Sequence, residues 1–304
     1  FPEMYLDEIS IHQEFNSLPM SNPFFVAAIT AGNKKAGSIN YNIAKACSSS
    51  GWIMMVGSQR RELFDSEEGA SWKEVFSDFP DVKRLGNIGL TQIKQAGVDK
   101  IIRLIESIGA SGFCVHTNPL QEAIQEEGTP FFKSSLEALK ELVKASSVPV
   151  IIKETGSGFS EVALRKLIDV GIYAVDLSGT GGTHWGRVEG LRSDKEASAY
   201  QSGQVFKDWG VSSFQSLLNA KNVELPAEYW VSGGLKNGLE AAKYLAFGAK
   251  RVGFARTILD PATHNSDKVL KTMQQIEKDL KIAMFCSGSK NLAELKDNWQ
   301  WVKK

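Results

Sequence analysis

The run Tyr173-Ala174-Val175-Asp176-Leu177 leads directly into Ser178-Gly179-Thr180-Gly181-Gly182-Thr183. A short β-like segment that opens onto glycines and hydroxyls reads as a strand end facing a ligand. Glycine lets backbone N–H groups approach an anion closely, and neighbouring hydroxyls add donors. The pairing recurs where Glu228-Tyr229-Trp230-Val231-Ser232 meets Gly233-Gly234, and a third strand, Arg251-Val252-Gly253-Phe254-Ala255-Arg256, follows closely. Loops after the last strands of a parallel barrel are a frequent phosphate site. Together the three loops point to a phosphate-bearing ligand.

Outward from these loops, β-rich runs alternate with amphipathic helical patterns along most of the 304 residues. Strands are expected at 23–30, 52–58, 84–89, 112–118, 149–155, 173–178, 228–233 and 251–255. Helices are expected at 40–50, 99–108, 134–146, 161–170, 214–221 and 239–247, with a final helix over about 266–285. Several of the strands are continuous apolar runs, as parallel strands buried on both faces require. The rhythm predicts a single-domain α/β protein, a (β/α)8 TIM barrel, over 23–304, with 1–22 as an N-terminal capping segment. The polar stretch 192–207 is expected to be a mobile loop that closes over bound substrate.

Thirty-five basic residues balance thirty-five acidic ones. That argues against nucleic acid or an anionic membrane as the main partner and leaves small anionic ligands open. The three cysteines show no metal spacing and fit reduced thiols in a cytoplasmic protein. No apolar run reaches the length of a membrane span. The start, Phe1-Pro2-Glu3-Met4, has the form of neither a signal peptide nor an ordinary chain start.

In a barrel of this kind the carboxyl ends of the strands face the site. Those positions supply Thr30, Ser58-Gln59-Arg60, Asn87, His116, Asn118, Gln121, Glu122, Lys153, Ser178, Thr183, Gly233, Gly234, Ala255 and Arg256. Lys153 ends the apolar run Val150-Ile151-Ile152. It is either a cation aimed at an anionic ligand or ring, or the partner of Glu154 or Asp176. His116 ends the fourth strand as a structural group or a catalyst. Glu122 is either an oxygen ligand for Mg2+ or a carboxylate favoured at a helix start. Arg60 suits bidentate phosphate binding, although an exposed arginine needs no such role.

These residues sit in longer stretches: Val56-Gly57-Ser58-Gln59-Arg60, His116-Thr117-Asn118-Pro119-Leu120-Gln121-Glu122, the fifth-strand segment 149–156, the strand-six loop with Trp185 and Glu189, and the turn 232–238. In them the chain resembles the type 2 isopentenyl diphosphate isomerases over nearly its whole length. The resemblance implies conversion of isopentenyl diphosphate to dimethylallyl diphosphate in isoprenoid biosynthesis. It implies reduced FMN as cofactor, NADPH or NADH as reductant, and Mg2+ on the diphosphate. It places Ala28, Ile29, Thr30, Ser58, Asn87, Lys153, Ser178, Thr183, Gly233, Gly234, Leu235, Lys236, Ala255 and Arg256 on FMN. Ser58, Gln59, Arg60, Asn118 and Gln121 would meet substrate, Gln121 and His116 would serve catalysis, and Glu122 would bind Mg2+. An Arg-Lys pair that the resemblance implies for substrate binding falls before Phe1. A homo-oligomer, tetramer or larger, is also implied.

Two other readings compete. A 2-hydroxy acid oxidase-like FMN barrel shares the phosphate loops, but it needs a histidine closely followed by an arginine where Ser178–Thr183 stands. A flavin-binding barrel without turnover would have no need of Arg60, Gln121 and Glu122 together.

Overall fold

The computed structural model describes residues 2–12, 22–30, 34–63 and 68–298. Eight parallel strands close into a barrel in chain order. They are β1 (Phe24–Val26), β2 (Ile53–Met55), β3 (Arg84–Gly89), β4 (Gly112–Thr117), β5 (Val150–Glu154), β6 (Ala174–Asp176), β7 (Glu228–Val231) and β8 (Arg251–Phe254). The expected strands are all present, mostly shorter, because the last residues of several leave the ladder to form the site.

Alternate strand residues point inward. Phe25, Ile53, Met55, Leu85, Cys114, Ile151, Ala174 and Trp230 fill the barrel as one buried cluster. The outward residues join the larger core beneath the helices. These include α1 (Lys34–Ser50), α2 (Glu68–Asp78), α3 (Leu90–Ala96), α4 (Val98–Ser107), α5 (Pro119–Ile124), α6 (Ser135–Ala145) and α7 (Glu161–Arg165). The second half adds α8 (Trp185–Arg192), α9 (Ser198–Val205), α10 (Ser213–Asn222), α11 (Gly238–Ala246), α12 (Arg256–Ala262), α13 (Ser266–Ser287) and α14 (Leu292–Asp297).

The amino end of the barrel is sealed by a polar plug. Arg251 is fully buried, its Nη1 donates to Asn22 O at 3.1 Å, and its guanidinium carbon lies 5.3 Å from the Trp230 ring centre. Glu228 accepts from Trp230 Nε1 at 2.9 Å and from Tyr173 Oη at 3.0 Å. Burial lowers the Arg251 pKa to about 10, with Glu228 opposing, so the plug keeps its cation at neutral pH. Near the same end Ile9 and Ile11 enter the core and Ser10 N donates to Lys290 O at 2.9 Å. Residues 13–21 of the expected capping segment lie outside the described residues.

The stretch 192–207 departs from expectation: it contains α9 rather than a long loop. Its polar residues form a solvent face, and the helix is held by a close backbone contact. A Cβ on Gly190 would stand 2.8 Å from Gly203 Cα, so α8 and α9 meet where neither carries a side chain.

Candidate active site

The carboxyl ends of β1 to β5, with Trp185 from α8, enclose a cleft of about 410 Å³. Eleven of the expected residues line it: Ala28, Ile29, Thr30, Ser58, Arg60, Asn87, His116, Asn118, Gln121, Glu122 and Lys153. Gln59 does not. It is fully buried, its Oε1 accepts from Asn87 N at 3.1 Å, and its Nε2 donates to Glu62 at 2.9 Å. Its backbone N also donates to Asn87 O at 2.8 Å, so it pins the β2 loop to β3.

Asn118-Pro119 sets the β4 rim. Asn118 is the N-cap of α5 and Pro119 occupies its first turn, where a missing N–H costs nothing. The turn carries Gln121 and Glu122 to the cleft. Glu189 ties Gln121 down: a carboxylate only accepts, so Gln121 Nε2 donates to Glu189 Oε1 at 2.9 Å. Gln121 Oε1 then accepts from Asn118 Nδ2 at 3.0 Å. Arg192 holds the other Glu189 oxygen at 2.6 Å.

Glu122 is buried and its two oxygens differ. Oε2 accepts from Thr129 N at 2.6 Å, Thr129 Oγ1 at 3.1 Å and Gln125 Nε2 at 3.4 Å, while Oε1 accepts only from Asn118 Nδ2 at 3.2 Å. No group of three or more His, Cys, Asp or Glu among the described residues could hold a metal alone. Glu122 Oε1 suits a cation that brings its other ligands as water and phosphate oxygens, which is how Mg2+ usually binds.

Lys153 is buried at the cleft, and its ammonium has no hydrogen-bond or ion-pair partner among the described residues. Its register neighbours are His116 and Asp176. Burial raises the Asp176 pKa against the opposing pull of Lys153, and Ser232 Oγ donates to both its oxygens at 2.9 Å. His116 is pushed the other way. Burial first, then the charges of Lys153 and Arg60, lower its pKa to about 3, so it is neutral at physiological pH. Beside Lys153, burial raises Glu154 to about 7 despite N–H bonds from Ser157 at 2.6 Å and Thr155 at 2.8 Å.

The loops after β6, β7 and β8 are wired through backbone. Thr180 N donates to Val211 O at 2.9 Å, Gly179 N to Ser213 Oγ at 3.0 Å, and Ser213 Oγ to Ser232 O at 2.7 Å. Gly234 has φ +94°, and a Cβ on Gly182 would lie 2.6 Å from its nitrogen, so the two loops interlock as only glycine permits. The N–H groups of Gly182, Gly233, Gly234 and Arg256 donate to no acceptor among the described residues. Unpaired N–H groups at loop ends are the donors a phosphate requires. Ser178 and Thr183 flank this nest and Ala255 leads into α12, whereas Leu235 is buried and Lys236 N donates to Glu240 at 2.7 Å. His184 is committed elsewhere: Nδ1 accepts from Arg187 N at 3.1 Å and Nε2 meets Trp209 O at 3.1 Å, capping α8.

Sequence reading missed Gln92, Gln125 and Thr129. Gln92 lines the cleft from the first turn of α3. Its signal was available, as a polar residue three positions beyond the end of a buried strand. Thr129 had none, since only the folded turn after α5 brings it to Glu122.

A family profile described as FMN-dependent dehydrogenase matches residues 104–302. The chain is 46% identical to the isopentenyl-diphosphate delta-isomerase of Bdellovibrio bacteriovorus, over 97% of this chain and 86% of that one. It is 45% identical to the protein of the same name from Legionella pneumophila (strain Lens), with the same coverage of each chain. Among solved structures, a flavocytochrome b2 with pyruvate bound superposes with TM-score 0.68 at 19% identity, over 98% of this chain and 74% of that one. A mandelate oxidase with an FMN adduct gives TM-score 0.64 at 15% identity, over 97% and 85%. At those identities the structural likeness speaks for the barrel alone. The close relatives and the profile go further: the chain belongs to the FMN-dependent isopentenyl-diphosphate delta-isomerases.

Proposed function

We propose that the chain interconverts isopentenyl diphosphate and dimethylallyl diphosphate with the help of FMN, reduced by NADPH or NADH, and of Mg2+ carried by the diphosphate. The observation that carries this reading is one cleft holding an unpartnered ammonium, Lys153, beside the hydrogen-bonded chain Asn118–Gln121–Glu189. Bound FMN would supply an electron-rich ring facing the alkene. Lys153 would favour the anionic form of that ring, and the N–H nest of the β6 to β8 loops would hold the phosphate. Arg60, Ser58 and Asn118 would orient the diphosphate, with Glu122 Oε1 against its Mg2+.

The reaction adds a proton at one carbon of the alkene and removes another nearby. Gln121 keeps one N–H and one carbonyl lone pair for the cleft. An amide is too weak an acid or base to finish the transfer, so Gln121 orients the substrate and Glu189 behind it provides the carboxylate for relay. The half-buried Ile29 and Trp185 walls would keep water from an electron-poor carbon.

A hydroxy acid oxidase needs an imidazole and a guanidinium in the β6 loop. Thr180 and Thr183 stand there, and His184 is spent on α8. Anaerobic incubation with FMN, NADPH, Mg2+ and isopentenyl diphosphate tests the proposal. Dimethylallyl diphosphate should form with no net NADPH consumption beyond flavin reduction. Stoichiometric reductant use, or no product from flavin-loaded protein, would sink it.

A further inference from the structure

Lys153 and Asp176 are register partners on β5 and β6, and the pair before them on the same face, Ile151 and Ala174, belongs to the barrel filling. Side chains two positions on share that direction, so the ammonium and the carboxylate project into one layer directly above the apolar plug. Lys153 is 8% exposed and Asp176 1%. Opposite charges buried this deeply on neighbouring strands would ordinarily pair. Among the described residues neither forms an ion pair.

The reason lies at the end of β7. Ser232 Oγ lies 2.9 Å from each Asp176 oxygen, and Ser178 N donates to Oδ1 at 3.4 Å. Ser232 is itself anchored, because its carbonyl accepts from Ser213 Oγ at 2.7 Å. The carboxylate is thus drawn toward β7, and Lys153 on β5 keeps all three ammonium hydrogens for the cleft. The two charges still act through space. Burial pushes Asp176 up, and Lys153 is the largest influence opposing it. Burial also raises the Cys114 thiol in the layer beneath, on which Lys153 and Asp176 then act with opposite signs.

We propose that Asp176 and Ser232 are positioning residues for Lys153: the carboxylate is a counter-charge that keeps the buried lysine an ammonium, and the serine hydroxyl holds that carboxylate back so that the ammonium is offered to the cleft. Neither residue has to touch a ligand. The assignment rests on Lys153 being the cation of the flavin site, and it adds what keeps that cation available. A directly paired lysine would spend its hydrogens on Asp176, whereas a buried lysine with no counter-charge would give up its proton.

Crystal structures of the cofactor-free parent and Ser232→Ala read the restraint directly. With the hydroxyl gone, Asp176 and Lys153 Nζ should close into an ion pair, and both side chains standing at their parental positions would overturn the proposal. FMN binding, followed by quenching of its fluorescence, is a second arm. Ser232→Ala should bind FMN about tenfold more weakly than the parent, and adding Asp176→Asn should recover about threefold of that loss, since the competing charge is gone. No recovery in the double variant counts against the proposal, because a merely structural serine gains nothing from a second substitution beside it. Urea unfolding is the third arm and needs no cofactor. Asp176→Asn should raise the unfolding equilibrium constant about tenfold more in the parent than in Lys153→Met, where no buried cation is left to balance. Equal losses in the two backgrounds would remove the counter-charge. Unchanged FMN affinity in Lys153→Met would count against the flavin role of Lys153 alone, and the cofactor-free structures and the urea series would still decide the restraint.

Discussion

The two halves of the barrel mouth are built on opposite plans. From β2 to β5 the rim is wired by side chains: Asn87 to His116, Asn118 to Gln121, Gln121 to Glu189, Thr129 to Glu122. From β6 to β8 it is wired by backbone, with interlocked glycines and N–H groups left open. Side-chain wiring fixes protonation states and orientations one atom at a time, as reaction chemistry requires. Backbone wiring offers a fixed cup of donors that no titration can alter, and a permanent anion needs nothing more. The first half is where a change should alter turnover, and the second is where it should alter cofactor retention and stability.

Lys153→Met gives the sharpest test. Removing one preorganised charge from a water-poor site typically costs about 10²-fold or more in kcat. That loss, with lowered flavin occupancy, is expected in steady-state assays and flavin absorbance, and unchanged turnover would erase the distinction between the halves. Glu154→Gln follows. Glu154 titrates at about 7 in the fold against an ordinary 4.5, so the folded state holds the proton more tightly and its share of stability falls as pH rises from 4.5 to 7. The gap, from 4.5 to about 7, corresponds to about 3 kcal/mol. Glutamine has no proton to lose. The stability difference between variant and parent in urea should shift by about that much, in favour of the variant, across this window.

Gly234→Ala probes the backbone half. With φ +94° and a Cβ aimed at the Gly181 carbonyl, it should cost about 2 kcal/mol of stability and release flavin more easily. At saturating FMN its kcat should stay near the parent's, and a kcat loss as large as that of Lys153→Met would break the comparison. Glu122→Gln should raise the Mg2+ concentration for half-maximal rate about tenfold while FMN stays bound, since second oxygens and backbone donors remain in place. The smallest effect is expected for Arg192→Gln. Arg192 is 61% exposed, so its ion pair with Glu189 should be worth less than about 1 kcal/mol in thermal unfolding.

The barrel was legible because parallel strands buried on both faces stand out as apolar runs, and strand ends such as Lys153 and His116 stand out where those runs stop. What could not be read depends on contacts between distant segments. Gln59 looks like its neighbours Ser58 and Arg60, yet the Asn87 backbone turns it inward. The polar stretch holding α9 looks like a loop until Gly190 and Gly203 meet. The role of Glu122 Oε1 is set by Thr129, which reaches it only after the turn is made.

The plug of Arg251, Glu228 and Tyr173 beneath a floor of packed side chains has a kinetic meaning. A chamber stoppered at its base is entered through its mouth. Under the proposed reaction, reactant and product are isomers of equal size and charge, and both must use it. Each product molecule has to leave before the next reactant can enter, so the enzyme would be throttled by its own product in simple competition, and traffic would run in either direction according to which isomer crowds the door.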